Sequence, residues 1–398
     1  MPIKSLIKET LSLQGFRVDS IDRCSFGLNI KIVPDRRYRP RCGKCGHTGK
    51  YRDTRPERQF KHVPLWGLPI FLSYSPRRVV CKHCDGIYVE QIPWASGKRR
   101  LTDAFACYLA TWARLLPWIE VARLFHCAWG TVASTVDFVV QYGLENRDLS
   151  GITHIGIDEI ARRKGHKYLT NVYDLETRKL IWSGEGRSEH TLRQFFEYLG
   201  PEKTKSLQGI CCDMWMPYIN VIEEKAPDAL LVFDKFHIVR HLMNAVDQVR
   251  RDEVTEKGKE HKQLIKHSRY IWLKNPWNLT DKQKTKLGSL EKLNLKINRA
   301  YLLKESFRNL WSYKTVGWAT HSRLDPIRKF AWMIRRHEEN ILSYFKMPIT
   351  NASVEGLNNK AKIISRRAYG FRSVRSHVLN LYHCLADLPW PKMVHTFV

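Results

Sequence analysis

Three aspartates in this chain each close a run of apolar residues: Thr153-His-Ile-Gly-Ile-Asp158, Leu207-Gln-Gly-Ile-Cys-Cys-Asp213 and Ala229-Leu-Leu-Val-Phe-Asp234. Each run reads as a buried strand ending in a carboxylate. Asp often begins a loop, so one such ending means little. Three in one mixed α/β stretch of a basic chain point to a cluster of hard oxygen ligands. Mg²⁺ takes carboxylates, water and phosphate oxygens, and two ions about 3.5–4 Å apart serve phosphoryl transfer. Glu159 follows Asp158 and is expected on the opposite face of a continuing strand, so only one of the two leads. A further acid stands in Thr350-Asn-Ala-Ser-Val-Glu355-Gly-Leu-Asn-Asn-Lys-Ala-Lys362. Helical spacing puts Glu355, Asn358, Asn359 and Lys362 on one stripe, which suits a metal-and-phosphate site; a solvated helix face is the plainer alternative.

A second chemistry belongs to the cysteines. Cys42-Gly-Lys-Cys45 and Cys81-Lys-His-Cys84 are two C-x-x-C pairs, 35 residues apart. Each two-residue gap lets a tight knuckle aim both thiolates at one ion, and four thiolates make a closed tetrahedral site for one structural Zn²⁺. His47, His62 and His83 are substitute ligands in reserve. The gap is long for a zinc ribbon, but Phe60–Val63 and Ile70–Tyr74 inside it read as strands of an insertion. Arg77 and Arg78, beside the second pair, are candidates for phosphate contact or ordinary surface charge.

Several elements must position these groups. Residues 1–100 read as a small β-rich module, with alternation such as Leu28–Val33. Ala104–Leu115, Ile119–Phe125 and Trp129–Val140 read as three helices. Val132, Val136 and Val139 form one apolar face of the third, and Trp129, Thr131, Ser134 and Thr135 fall mostly on the other. A helix-turn-helix presents the start of its second helix to the DNA major groove, so these four are candidate base or backbone contacts. From residue 153 to 234 the order β-β-β-α-β-α-β is that of the RNase H-like fold, in which neighbouring strand ends gather separated acids.

The chain has 398 residues, with 67 Lys+Arg against 39 Asp+Glu and a net charge of +28. At 43% hydrophobic content it is a folded protein, and the excess points to a polyanionic partner. No apolar run is long enough for a membrane span, and the N-terminus lacks a secretory apolar core. Ten cysteines are too sparse for a disulfide scaffold. A cytoplasmic, nucleoid-associated protein with no membrane partner is expected.

Taken together, the segments resemble the DDE transposases of bacterial insertion sequences of the ISL3 type, over nearly the whole chain. The matching residues are both cysteine pairs, Trp129-Gly-Thr-Val132, Ile157-Asp-Glu159 with Arg163-Lys-Gly165, and Asp213-Met-Trp215 with Tyr218. Asp234-Lys-Phe-His237 and Glu355-Gly-Leu-Asn-Asn359 with Gly370-Phe-Arg372 complete the set. Ala352 departs from the family, which commonly has Gly after the Asn.

The resemblance implies a catalytic triad of Asp158, Asp213 and Glu355 holding two Mg²⁺ (Mn²⁺ as a substitute). Asp234 is the rival for the second acid. Asp213 is preferred because the strand after the first helix lies beside the first strand of an RNase H-like sheet. Lys164, Lys167, His237, Lys360 and Lys362 are candidate phosphate contacts. The 141 residues between Asp213 and Glu355 are too many for a loop and imply a helical insertion. Its apolar spacing runs through Ile327, Phe330, Ile334, Ile341 and Phe345. Its tryptophans, Trp272, Trp277, Trp311, Trp318 and Trp332, are stacking candidates but more often core.

The expected fold is therefore α+β and multidomain: a β zinc ribbon (1–100), a helix-turn-helix (101–148) and an RNase H-like mixed sheet in two parts. Those parts are 149–239 and 347–398, interrupted by an all-α insertion over 240–346. The expected function is Mg-dependent cleavage and strand transfer on double-stranded DNA, at the element's terminal inverted repeats and in target DNA. At least a dimer is expected on paired ends. The alternatives are a non-catalytic DNA-binding regulator, or an RNase H-like nuclease without strand transfer.

Overall fold

The computed structural model describes residues 7, 8, 11, 13–163, 165, 167–293, 295–308 and 320–392. The chain is a mixture of several sheets and many helices, and it divides into two compact units: Met1–Arg147 with Ile364–Val398, and Asp148–Ile363. Among the described residues no helix is long and apolar enough to cross a membrane. The expected last segment, 347–398, is thus shared between the units.

The first unit begins with β1 (Phe16–Cys24), β2 (Gly27–Pro34), β3 (Lys50–Thr54), β4 (Arg58–Leu65), β5 (Leu68–Tyr74), β6 (Arg77–Cys81) and β7 (Gly86–Val89). They form two sheets, one ordered β1-β2-β5-β4 and one ordered β3-β6-β7. The insertion between the cysteine pairs is the β4–β5 hairpin. It pairs with β2 in the other sheet and so leaves the ribbon short despite the 35-residue gap. Phe16, Tyr74 and Trp94 meet edge to face at 5.1–5.4 Å in that module's core. Then come α1 (Asp103–Leu115), α2 (Trp118–Leu124) and α3 (Trp129–Asn146). Thr102 caps α1 by accepting from the Phe105 amide. The expected valines of α3 are all buried.

The second unit holds β8 (His154–Arg163), β9 (Lys167–Asp174), β10 (Leu180–Glu185), β11 (Gly209–Cys212) and β12 (Leu230–Phe233). They form one sheet ordered β10-β9-β8-β11-β12, antiparallel up to β8 and parallel beyond it. Two crossovers make the parallel pairs possible. The first contains α4 (Glu189–Leu199) and α5 (Pro201–Lys205), and the second is α6 (Met216–Lys225). Leu192 and Phe195 of α4 and Ile219 and Ile222 of α6 pack against Ile155, Ile157 and Ile210.

The long stretch before Glu355 is helical: α7 (Lys235–Ile265, interrupted at Gly258 with φ 75°), α8 (Arg269–Leu273), α9 (Asp281–Glu291), α10 (Lys296–Arg308), α11 (Asp325–Arg336) and α12 (Glu338–Lys346). Ile327, Phe330, Ile334 and Ile341 are buried in the same core as the sheet, and Phe345 is half-buried. Trp272 is fully buried, whereas Trp277 and Trp332 are exposed; Trp311 and Trp318 lie outside the described residues. Finally α13 (Ala352–Arg367) starts in the second unit and α14 (Val374–Leu385) belongs to the first.

One glycine decides how α13 approaches the sheet. A Cβ on Gly156 of β8 would stand 2.5 Å from Asn351 Oδ1 and 2.6 Å from Val354 Cγ2. Only a residue without a side chain lets the start of α13 seat on β8.

Candidate functional site

Strand register sets the acids level. In the parallel ladder Gly156 pairs with Cys211, and Cys212 pairs with Phe233. Continuing the register puts Asp213 beside Asp158 and Asp234 beside Asp213, across three adjacent strands. Asp158 is not at the end of its strand as expected: β8 runs on to Arg163, because it keeps pairing with β9 beyond the point where β11 stops. The alternation then gives Gly156 and Asp158 the face covered by α13, and Glu159 the face covered by α6.

Asp158 is fixed from two sides. Its Oδ1 accepts from the Glu159 amide at 2.7 Å and its Oδ2 from Asn358 Nδ2 at 2.6 Å. Asn358 in turn accepts the hydroxyl of buried Tyr173 at 2.7 Å. Burial pushes the Asp158 carboxyl above its usual range, and Asp213 adds to the rise; the Glu159 amide, His237 and Asn358 oppose it. Glu355 sits one turn before Asn358 on α13 and is exposed. The expected stripe is therefore divided: Asn358 is buried against the sheet, while Glu355, Asn359 and Lys362 stay open to solvent.

The two contenders for the second acid differ. The Asp213 side chain is 24% exposed and its Oδ1 accepts from the Met214 amide at 2.7 Å. The Asp234 side chain is 7% exposed, caps α7 through the Phe236 amide at 3.3 Å, and is raised by burial. His237 stands between them, Nδ1 3.4 Å from Asp213 Oδ2 and Nε2 3.8 Å from Asp234 Oδ2. The ring therefore lies among the acids of the site.

On the other face, Glu159 lies 3.6 Å from Arg187 and bonds Tyr218, and burial raises its carboxyl. The Arg187 guanidinium covers the Trp215 ring at 4.3 Å. Sequence reasoning missed Tyr173 and Arg187. An aromatic residue in an apolar strand and one arginine among many gave no signal of their partners.

The four cysteine Sγ atoms lie within 4.8 Å of one another, with Cys42 and Cys81 buried. Cys45 and Cys81 are 3.5 Å apart, close to the roughly 3.8 Å of a tetrahedron with Zn–S bonds near 2.3 Å. The Cys84 amide, and lesser donors, bring the Cys81 thiol down to about 7. This donor set fits zinc. His47 and His83 stack on each other at 4.3 Å, and with Cys45 form a second close group. Among the described residues no three of the acids gather so tightly, so the carboxylates do not form a single-ion cage.

The candidate DNA contacts separate by exposure. Trp129 and Ser134 are exposed and Thr131 is half-buried at the start of α3. Thr135 is withdrawn: it is fully buried and gives its hydroxyl to the Val132 carbonyl at 2.8 Å. Lys167, Lys360 and Lys362 are exposed, and Lys164 lies outside the described residues. Arg77 and Arg78 are paired with Glu90 and Asp53.

A family profile described as "Transposase" matches residues 155–381, and one described as "zinc-finger of transposase IS204/IS1001/IS1096/IS1165" matches residues 39–84. The transposase for insertion sequence element IS1001 of Bordetella parapertussis is 30% identical over 345 residues, covering 83% of this chain and 85% of that protein. The transposase for insertion sequence element IS1557 of Mycobacterium tuberculosis is 30% identical over 368 residues, covering 84% and 83%.

Proposed function

This chain belongs to the DDE transposases of the ISL3 type, and on that premise we propose that Asp158, Asp213 and Glu355 form its catalytic triad on terminal-repeat DNA. The observation carrying this reading is the level placement of Asp158 and Asp213 on adjacent parallel strands, with Glu355 on the helix that Asn358 ties to Asp158. The mixed sheet, three strands antiparallel and two parallel, is read as an RNase H-like core split by the helical stretch 240–346. Asp213 is preferred over Asp234, whose carboxylate is committed to capping α7.

The three carboxylates are oxygen donors of the kind Mg²⁺ takes, and two such ions would polarise the scissile phosphate and stabilise the departing oxygen. The chain's own part is positioning. Asn358, Tyr173 and the Glu159 amide hold Asp158 in one orientation, and the Met214 amide holds Asp213 beside it. Water attacks a phosphodiester, breaks the P–O3′ bond and leaves a 3′-hydroxyl on the element's end. That hydroxyl attacks a target phosphodiester in line, so one P–O bond forms as another breaks and no enzyme-linked intermediate is needed. The zinc ribbon and α2–α3, read as a helix-turn-helix, hold the terminal repeats. Lys167, Lys360 and Lys362 supply phosphate contacts, and paired ends call for at least two copies.

Labelled end DNA with Mg²⁺ tests the triad. Asp158→Asn is expected to bind the end normally and to lower cleavage and strand transfer by about a thousandfold or more, a loss of ~4 kcal/mol or greater in the barrier. Undiminished activity in that variant would remove Asp158 from the chemistry. Binding without cleavage by the wild type would instead favour a regulator, and nicks without joined products a nuclease.

A further inference from the structure

The unit made of Met1–Arg147 and Ile364–Val398 contains a recess of about 110 Å³ that includes none of the acids. Its walls are Trp118, Trp129 and Phe371, its rim carries Arg367 and Arg372, and Asn380 also lines it. We propose that this recess receives one unstacked nucleobase of the DNA strand, with the flanking phosphates against the arginines. It rests on the reading of the protein as a DNA enzyme, but not on the catalytic acids.

The walls are aromatic and partly packed. Trp118 is 6% exposed and Trp129 is 45% exposed, their rings 5.7 Å apart and tilted by 42°. Trp129 therefore presents a free flank beside a ring already fixed by packing. Phe371 follows a turn in which Tyr369 (φ 53°) and Gly370 (φ 89°) are both left-handed. Its ring stacks on His377 at 4.5 Å and 17°, and buried His377 is bonded to Ser365 at 2.9 Å. These are preformed aromatic surfaces, which bases use irrespective of sequence because every base has a π face.

The polar groups fit the same occupant. Arg367 donates to the carbonyls of Arg114 (2.7 Å) and Leu115 (2.8 Å), which locks the rim to the end of α1. No acidic residue lines the recess, so its field favours an anionic chain. Asn380 is 3% exposed, and its oxygen accepts the Cys384 thiol at 3.4 Å. Its amide nitrogen has no acceptor among the described residues and is left to read a base edge. The indole N–H of Trp118 likewise finds no acceptor there. A paired base shows neither its face nor its pairing edge, so the occupant must first leave the stack. An isolated phosphate would use the arginines and leave the aromatic walls uncovered.

The test uses the full chain without added divalent ions, so no cleavage occurs and a failed triad does not enter the readout. Fluorescence anisotropy compares a ten-nucleotide oligothymidine with an abasic strand of the same length. The wild type is expected to prefer the oligothymidine about tenfold, ~1.4 kcal/mol, as one stacked base would give. Phe371→Leu is expected to remove most of that preference and leave abasic binding unchanged; Trp129→Leu, at the start of the helix read as contacting duplex, is expected to lower affinity for the oligothymidine more than for the abasic strand, with thermal melting as the fold control. A 5-iodouracil strand is expected to photocrosslink to Trp129 or Phe371. Equal wild-type affinity for both strands, a preference that survives both variants, equal loss on both strands, or crosslinks that map elsewhere would each overturn the proposal.

Discussion

Asp158 carries a cost that its neighbours only partly offset. It is half-buried, close to Asp213, and held by an amide, Asn358 and the field of His237. Its folded carboxyl is raised above the ordinary 3.8, so the stability it contributes is full below that range and is lost as pH rises through the raised value. Asp158→Asn is therefore expected to melt a few degrees higher than wild type at pH 7 without divalent ions, roughly the shift of ~1 kcal/mol in a unit of this size. The difference should close near pH 3.5 in a calorimetric pH series. An equal difference at both pH values would show that ionisation is not its source. The variant that loses the chemistry should thus gain stability, as active-site carboxylates often exact.

Tyr173 acts one step further out, as a positioning residue. Its hydroxyl fixes Asn358, which fixes Asp158. Tyr173→Phe should lower strand transfer roughly ten- to a hundredfold, typical of outer partners of metal ligands. End-DNA affinity should stay unchanged while the Mg²⁺ concentration for half-maximal activity rises. A loss of DNA binding instead would assign Tyr173 a purely structural role. Neither Tyr173 nor Arg187 was legible in the sequence, because their partners are remote along the chain and meet only through the sheet.

Among elements, the seating of α13 on β8 decides the site. Gly156→Ala places a methyl 2.5 Å from Asn351 Oδ1, where backbone and side chain are both packed. A loss of ~1–3 kcal/mol in urea denaturation is expected, with strand transfer falling further as Asn358 moves off Asp158. Unchanged stability would mean that α13 yields easily. The apolar periodicity of α3 was readable because the element's buried face is written in its own residues. The reach of β8 past Asp158 was not readable: it depends on pairing with β9, a contact between strands. Thr135 failed for a related reason. Helical spacing places it near the polar flank, but packing around α3 covers it.

The zinc ribbon was legible for the opposite reason, since each knuckle is local in sequence. One zinc per chain is expected by elemental analysis. Cys81→Ser should release it and abolish specific end binding, and leave the melting of the Asp148–Ile363 unit within a degree or two.

For the molecule as a whole, the +28 charge governs how DNA is held. Six to ten phosphate contacts would give a log–log salt slope of about −5 to −9 for duplex binding, at ~0.9 per contact. Lys360→Ala and Lys362→Ala should each flatten it by about one if they touch phosphate, and a slope unchanged by both would remove them from the interface. The acids need the opposite environment, and the chain separates the two needs by depth: lysines of α13 stay exposed while Asn358 on the same helix turns inward.

By itself the sequence carried the element types, the cysteine cluster, the resemblance to the family and a set of candidate acids. Each of these is carried by local spacing or by apolar runs. Only the tertiary structure decided which acids stand level, what holds Asp158, that His237 faces carboxylates, and that Trp129 shares a recess with Phe371 from the other end of the chain. Those pairings join residues up to about 240 positions apart, as in Trp129 and Phe371. Closure of such distances is set by the common core and by sheet register, which no single segment encodes.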